Sequence, residues 1–253
     1  MQRREVMQNR TTIISALEQK YYNRIPGWKN GTEEFHLLLA KIINNRKTEV
    51  LEVGPGPLNK TSSFLATCAK NIDGIDIDKR ALKNAALNNI IIYDGEKFPI
   101  NSYLYDLVVA DYVMEHVEHP KIMLQEINRV LKQGGLFVFR TPNLFHYVSI
   151  ISKLTPQWLH LLIANRSRAR SNDAEDPYPT FYRFNSSLAI RELTNETYFS
   201  LCDLSMVEKQ PSYLKFNSFA FLCGIFYERI VNNVESLSGL RANIFGILRK
   251  PIF

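Results

Sequence analysis

The apolar positions of the chain change period several times, and each change marks an element. Thr48-Glu49-Val50-Leu51-Glu52-Val53 is a short β-branched and apolar run that Gly54-Pro55-Gly56 ends abruptly, the pattern of a buried strand closed by a turn. Residues 59–70 then suit a helix. Four more strand signals follow, at residues 72–78, 90–93, 105–110 and 136–139, the last introduced by Gly134-Gly135. Ile122, Ile127, Val130 and Leu131 predict a helix over residues 120–132. Phe35, Leu38, Leu39 and Ile42 predict another over residues 32–45, with Thr32 as its cap. Nearly continuous apolar strands alternating with helices imply right-handed crossovers and a parallel sheet covered on both faces.

Beyond Pro142 the rhythm changes. Residues 144–163 are aromatic and aliphatic, broken by Lys153 and Pro156, and residues 171–187 read as loop. Residues 187–199 read as a helix. Residues 204–208 and 243–248 read as closing strands, separated by an apolar segment at 216–234. There is no internal repeat and no low-complexity tract.

Composition adds bounds rather than detail. A chain of 253 residues that is 45% hydrophobic and 22% charged is globular. The net charge of +6 is spread along it: residues 1–139 carry 18 Lys/Arg and 16 Asp/Glu, and residues 140–253 carry 13 and 9. No stretch forms a basic arm. Arg166, Arg168 and Arg170 read as a solvated loop, with phosphate or lipid headgroup contact as the second reading. Cys68, Cys202 and Cys223 are too scattered for a disulfide framework or a zinc site, so a reducing cytoplasm and no metal are expected. The polar start, Met1-Gln2-Arg3-Arg4-Glu5, lacks the apolar stretch of a signal peptide.

The chemistry gathers at the first turn. Strand, glycine turn and helix in succession open a crevice beyond the carboxyl ends of parallel strands, where α/β sheets bind nucleotide-like ligands. Gly54 and Gly56 let a ligand approach the main chain, and Glu52 sets a carboxylate at the crevice lip. Three ligands compete for it. Gly54-Pro55-Gly56-Pro57-Leu58-Asn59-Lys60-Thr61 nearly spells a phosphate loop, and Val108-Val109-Ala110-Asp111 imitates the acidic strand end that helps hold magnesium. However, Asn59 replaces the second glycine, and Pro55 and Pro57 remove N–H donors. A dinucleotide needs a third glycine where Asn59 stands. S-adenosylmethionine needs glycine for backbone approach and carboxylates for its ribose, but no phosphate cradle. Asp76 ends the second strand, placed to accept from ribose hydroxyls. Asp94 follows the third, placed to accept from an adenine amino group, with a backbone N–H from Gly95 or Glu96 beside it.

With these residues in place the chain resembles the S-adenosylmethionine-dependent methyltransferases of Rossmann-like fold, closest to the small-molecule branch. The likeness rests on Leu51-Glu52-Val53-Gly54-Pro55-Gly56, Gly74-Ile75-Asp76-Ile77-Asp78, Asp94-Gly95-Glu96-Lys97-Phe98-Pro99, Tyr105-Asp106-Leu107-Val108-Val109, Met114-Glu115-His116-Val117 and Leu131-Lys132-Gln133-Gly134-Gly135, in order over residues 35–142. It implies an α/β, doubly wound, seven-stranded, mostly parallel sheet with an antiparallel last strand and helical insertions on the substrate side. The expected division is a single domain: a lid at 1–31, a cofactor-binding core at 32–142, a substrate-side insertion at 143–203, and C-terminal strands with an apolar helix at 204–253. By the same likeness Glu52, Gly54 and Gly56 line the methionine part, Asp76 the ribose and Asp94 the adenine, with Ile77 and Gly95 also binding the cofactor and Ala110 to Tyr112 near the sulfonium. Many members carry a third glycine where this chain has Leu58.

The acceptor is less legible. Asp111, Glu115 and His116 are the candidate bases beside the fourth strand; for His116 a packed turn is the competing role. His146 and His160 lie in the substrate-side region. Tyr178, Tyr182 and Arg183 lie where this family varies its substrate cover, and Tyr22 or Trp28 could close over the cofactor. The expected acceptor is a small molecule, lipid-like or a glycan precursor, and no nucleic acid is expected. The apolar segment at 216–227 is too short to span a bilayer. It either packs on the sheet or lies in a membrane interface, so peripheral contact with the inner face of a membrane is an open expectation. A cofactor-binding scaffold or sensor that transfers no methyl group is the alternative.

Overall fold

The computed structural model describes residues 13–43, 47–154 and 178–252. Seven strands form one sheet: β1 Glu49–Val53, β2 Asn71–Asp76, β3 Asn89–Ile92, β4 Tyr105–Asp111, β5 Leu131–Pro142, β6 Ser200–Val207 and β7 Asn243–Arg249. Their order is β3-β2-β1-β4-β5-β7-β6. β1 runs parallel to both β2 and β4, whereas β7 is antiparallel to β5, with Val138 opposite Ile247. The last strand is thus the antiparallel one, slotted between β5 and β6. The sequence order reverses at β1, which places the topological switch point between β1 and β4.

Six α-helices have bounds within the described residues: α1 Gly31–Ile42, α2 Lys60–Cys68, α3 Pro120–Val130, α4 Tyr147–Leu154, α5 Ser187–Glu196 and α6 Ser218–Asn233. α2 starts where Asn59 caps it, its side-chain oxygen accepting from Ser62 N–H at 2.6 Å. α1 begins one residue earlier than the sequence suggests, so Thr32 lies in its first turn and its hydroxyl accepts from Arg140 instead. α5 is capped by Ser186 and ends at Glu196; Tyr198, at φ +59°, carries the chain into β6 four residues ahead of the expected start.

The alternation of strand and helix fails twice. Only a 3-10 turn, Lys79–Lys83, separates β2 from β3, and no helix separates β3 from β4. Residues 93–104 are instead held by α3. Arg129 donates to the carbonyls of Phe98 (3.0 Å) and Ile100 (2.7 Å), and Glu126 accepts from Phe98 N–H at 2.9 Å. Phe98 and Ile100 then plug the core where a helix face would have packed. β5 is the second surprise. It starts at Leu131, directly after α3, because Gly134 at φ +74° and a register irregularity opposite Tyr105 and Leu107 absorb the polar Lys132-Gln133-Gly134-Gly135 stretch.

Two units divide the chain. The first comprises residues 1–31, 145–177 and 207–242, and the second residues 32–144, 178–206 and 243–253. The second unit holds the sheet and a core of Leu51, Val53, Ile75, Val108, Ala110, Leu124 and Phe137. The first packs Tyr22, Ile14, Phe221 and Ile225 together, with Trp28 against them. Tyr22, which the sequence offered as a cover for a cofactor with packing as its competing role, is a fully buried core residue of that unit. His160, the arginines at 166, 168 and 170, and the stretch 155–177 lie outside the described residues.

Candidate functional site

The turn after β1 is built by backbone need. Gly54 (φ +66°) donates its N–H to Ile75 C=O at 2.8 Å, and a Cβ there would stand 2.7 Å from Val113 Cγ2. Gly56 (φ +63°) has nothing within 4 Å of where a Cβ would be, so that side of it is open. Pro55 rests on Gly74, whose missing Cβ would lie 3.0 Å from the proline ring.

Asp76, at the end of β2, accepts from Gly56 N–H and from Asp78 N–H, each at 2.9 Å and through different oxygens. The carboxylate therefore belongs to the glycine turn as much as to its own strand. Each oxygen keeps a further lone pair. Asn84 completes the turn by donating to Gly56 C=O and Ser62 Oγ. Past β3, Asp94 is exposed and accepts from Glu96 N–H at 3.0 Å, a local turn that leaves Gly95 at φ +93° beside exposed Ile77.

Glu52 does not stand open at a lip. It is 1% exposed, accepting from Ser62 Oγ at 2.6 Å and Asn59 Nδ2 at 3.1 Å. Burial pushes its carboxyl up to about 7; the two hydrogen bonds oppose that shift, and the negative charges of Asp111 and Asp76 add to it. Ala110 is fully buried in the core, so it offers a ligand only main chain.

Asp111 is not an available base. Arg140 grips it with two nitrogens at 2.6 and 2.7 Å, and Thr61 Oγ1 donates to it at 2.6 Å. Arg140 is itself buried, between the rings of Phe35 and Tyr112. Protonating Asp111 would strand a buried guanidinium. His116 differs. Its Nδ1 lies 2.9 Å from Pro179 C=O, which only an Nδ1–H can satisfy, so the neutral ring carries its lone pair on partly exposed Nε2. The neighbouring Glu115 is buried, accepts from Thr141 Oγ1, and is pushed up to about 7 by desolvation.

A short strap, residues 178–183, fixes this turn. Phe181 and Tyr182 N–H both donate to Glu115 C=O, and Arg183 donates to Glu118 C=O. At its start Tyr178 OH donates to Asp78 at 2.5 Å, where Arg80 also binds; these bonds hold the Asp78 carboxyl below the usual carboxylate range. Tyr182 takes φ +53° and Tyr112 φ +58°, conformations costly for aromatic residues and concentrated at functional sites. His146 lies in the first unit, buried, with Nε2 3.3 Å from Glu208 but not aimed along a hydrogen bond.

The sequence reading did not name Asn59, Ser62, Thr61, Asn84, Gly74 or Arg140 as site residues. Asn59 with Ser62 three residues on is a legible capping pattern; the others become neighbours only through the sheet. Together Glu52, Asp76 and Asp111 give the crevice an acidic lining against one buried cation. At the start of α2 the Asn59 side chain already takes the Ser62 N–H and a carboxyl lies beneath, the reverse of what a phosphate needs. Among the described residues no group of three or more His, Cys, Asp or Glu could hold a metal ion.

The methyltransferase-domain family model matches residues 51–139, from β1 into β5. The core of this chain is a methyltransferase domain. It is of the S-adenosylmethionine-dependent, Rossmann-like kind. The methyltransferase domain is 28% identical over 113 residues to an uncharacterized methyltransferase of Oceanobacillus iheyensis, covering 42% of this chain and 53% of that one. It is 26% identical over 137 residues to a malonyl-[acyl-carrier protein] O-methyltransferase of Hamiltonella defensa, covering 53% of each. The chain thus spans about half the length of these curated relatives. Among solved structures, the [4+2]-cyclase SpnF matches with a TM-score of 0.59 at 15% identity, over 92% of this chain and 86% of the other. That likeness is one of fold.

Proposed function

We propose that the protein transfers a methyl group from S-adenosylmethionine to a small-molecule acceptor, lipid-like or a glycan precursor. The observation that carries this reading is the acidic glycine turn at the switch point, where Asp76 and Gly56 are joined and open space lies over Gly56. An acidic lining suits a sulfonium cation and repels a polyphosphate. The domain match and the similarity to a named O-methyltransferase support the reaction class.

The residues present fit that cofactor. Asp76 would accept from the ribose hydroxyls through its remaining lone pairs. Ile77 would lie against the adenine, and Asp94 with the Gly95 main chain would meet its polar edge. Gly54, Gly56 and Ala110 would admit the methionine portion along the main chain, with Glu52 beneath. When bound, S-adenosylmethionine supplies an electrophilic methyl group on sulfur. The chain's own work is to orient the acceptor, keep water away and take up a proton. We assign the last to His116 Nε2: the strap holds Nδ1–H on Pro179 C=O, which fixes the tautomer and presents the other nitrogen as base. Asp111 cannot share this role while it is held by Arg140.

Calorimetric titration with S-adenosylhomocysteine tests the site. Asp76→Ala, which removes a carboxylate worth about 1.5–3 kcal/mol per charged hydrogen bond, is expected to weaken binding at least ~10-fold. Unchanged affinity in a folded variant would remove the ribose assignment. A chain that binds the product but releases no labelled methyl group to lipid, quinone or glycan-precursor extracts would point to the scaffold or sensor instead.

A further inference from the structure

We propose that the outward face of α6 docks on the surface of an anionic phospholipid bilayer. This does not depend on the methyl-transfer reading; it rests on the first unit alone.

α6 carries apolar side chains on both its buried and its outward side. Its buried side carries Phe221, Gly224, Ile225 and Val231 together with Glu228. Glu228 is retained there by Asn232 Nδ2 at 2.7 Å and Tyr22 OH at 3.5 Å, and burial pushes its carboxyl up. The outward side carries Phe219, Leu222, Phe226 and Ile230, which are 75, 43, 70 and 36% exposed. Steps of three, four and four residues align them as one stripe. Among the described residues the first unit also holds 13 of the 25 large exposed hydrophobic side chains, although it supplies the minority of those residues. Apolar surface gathered in this way marks an interaction site.

Charge identifies the occupant. Among the described residues the first unit has 8 Lys/Arg and 4 Asp/Glu, a net of +4, whereas the second has 16 and 17. Among the described residues the positive balance therefore belongs to the unit that bears the apolar stripe. Lys20 and Arg24 are exposed on the helical stretch that packs against α6, where Tyr22 meets Phe221 and Arg229 reaches Tyr21 C=O at 3.0 Å. A second copy would bring the same positive charge to the contact, which opposes self-association; an anionic bilayer reverses the sign. Among the described residues no helix is long and apolar enough to cross a membrane. A 16-residue helix apolar on its outward side fits an orientation flat in the interface.

The test is flotation of the full chain with phosphatidylglycerol-rich vesicles and with pure phosphatidylcholine vesicles. Retention on the anionic vesicles alone, reduced by high salt, is expected. Phe219→Ser with Phe226→Ser should cut the bound fraction at least ~10-fold without altering circular dichroism or melting, since both rings are outward. Leu188→Ser, an equally exposed apolar site in the second unit, should leave retention unchanged. No retention of the wild type on either vesicle, equal retention of the double variant, or equal loss in Leu188→Ser would overturn the proposal. So would a wild-type dimer, seen by light scattering, that the double variant dissociates while neither protein floats.

Discussion

Two glycines two residues apart share a left-handed backbone and have different tasks. A Cβ at Gly54 meets Val113 at 2.7 Å, whereas one at Gly56 meets nothing. Gly54→Ala therefore combines left-handed strain with overpacking, for an expected loss of about 2–4 kcal/mol in urea denaturation. Gly56→Ala should cost only the strain, roughly 1–2 kcal/mol, yet lower affinity for S-adenosylhomocysteine by filling the space a ligand would use. If the two variants lose stability equally, Val113 yields more than the packing implies. The glycines, Asp76 and Asp94 were legible in the sequence because each ends a strand, and strand ends are set by local pattern. The fate of Asp111 was not. Its partner Arg140 stands 29 residues away, and nothing in the spacing reveals that the pairing of β4 with β5 sets Asp111 opposite Arg140.

At the scale of elements, α2 shows how a departure from a motif becomes a support. Asn59 replaces an expected glycine, and it both caps the helix and donates to Glu52 and to Pro55 C=O. Asn59→Ala should cost about 1 kcal/mol for the cap, plus a penalty for leaving Glu52 short of a donor. In a double-mutant cycle with Glu52→Gln the two losses should be less than additive; strict additivity would show that the Asn59–Glu52 bond contributes nothing. The helix absent between β3 and β4 has a related cause. Gly95 and Pro99 interrupt any helical period, and Arg129 with Glu126 supplies the hydrogen bonds that the loop would otherwise lack. Periodicity reports where a helix can form, not where another element's side chains replace one.

For the whole molecule, buried carboxyls set the response to pH. Glu52 and Glu115 both rise from an ordinary value of 4.5 to about 7, chiefly through burial. Folded, each holds its proton more tightly than unfolded. Their contribution to stability is therefore fully present below about 4.5 and is lost as pH rises through about 7. Melting measured from pH 4.5 to 8 should show this decline. Glu115→Gln should flatten it, by on the order of 1–3 kcal/mol at the alkaline end. An unchanged pH profile in that variant would show that Glu115 ionises in the folded chain without cost.

The sequence alone determined the strands, the glycine turn, the ligand class and the acidic strand ends, because these follow from runs of apolar residues and from backbone conformations that few residue types permit. Tertiary structure decided which carboxylates are held and which face outward, that His116 is tethered through Nδ1, and that α6 turns Glu228 inward and Phe219 and Phe226 outward. Those outcomes depend on partners far apart in the chain, and a side chain's hydrogen-bond partners and exposure are properties of its surroundings rather than of its position.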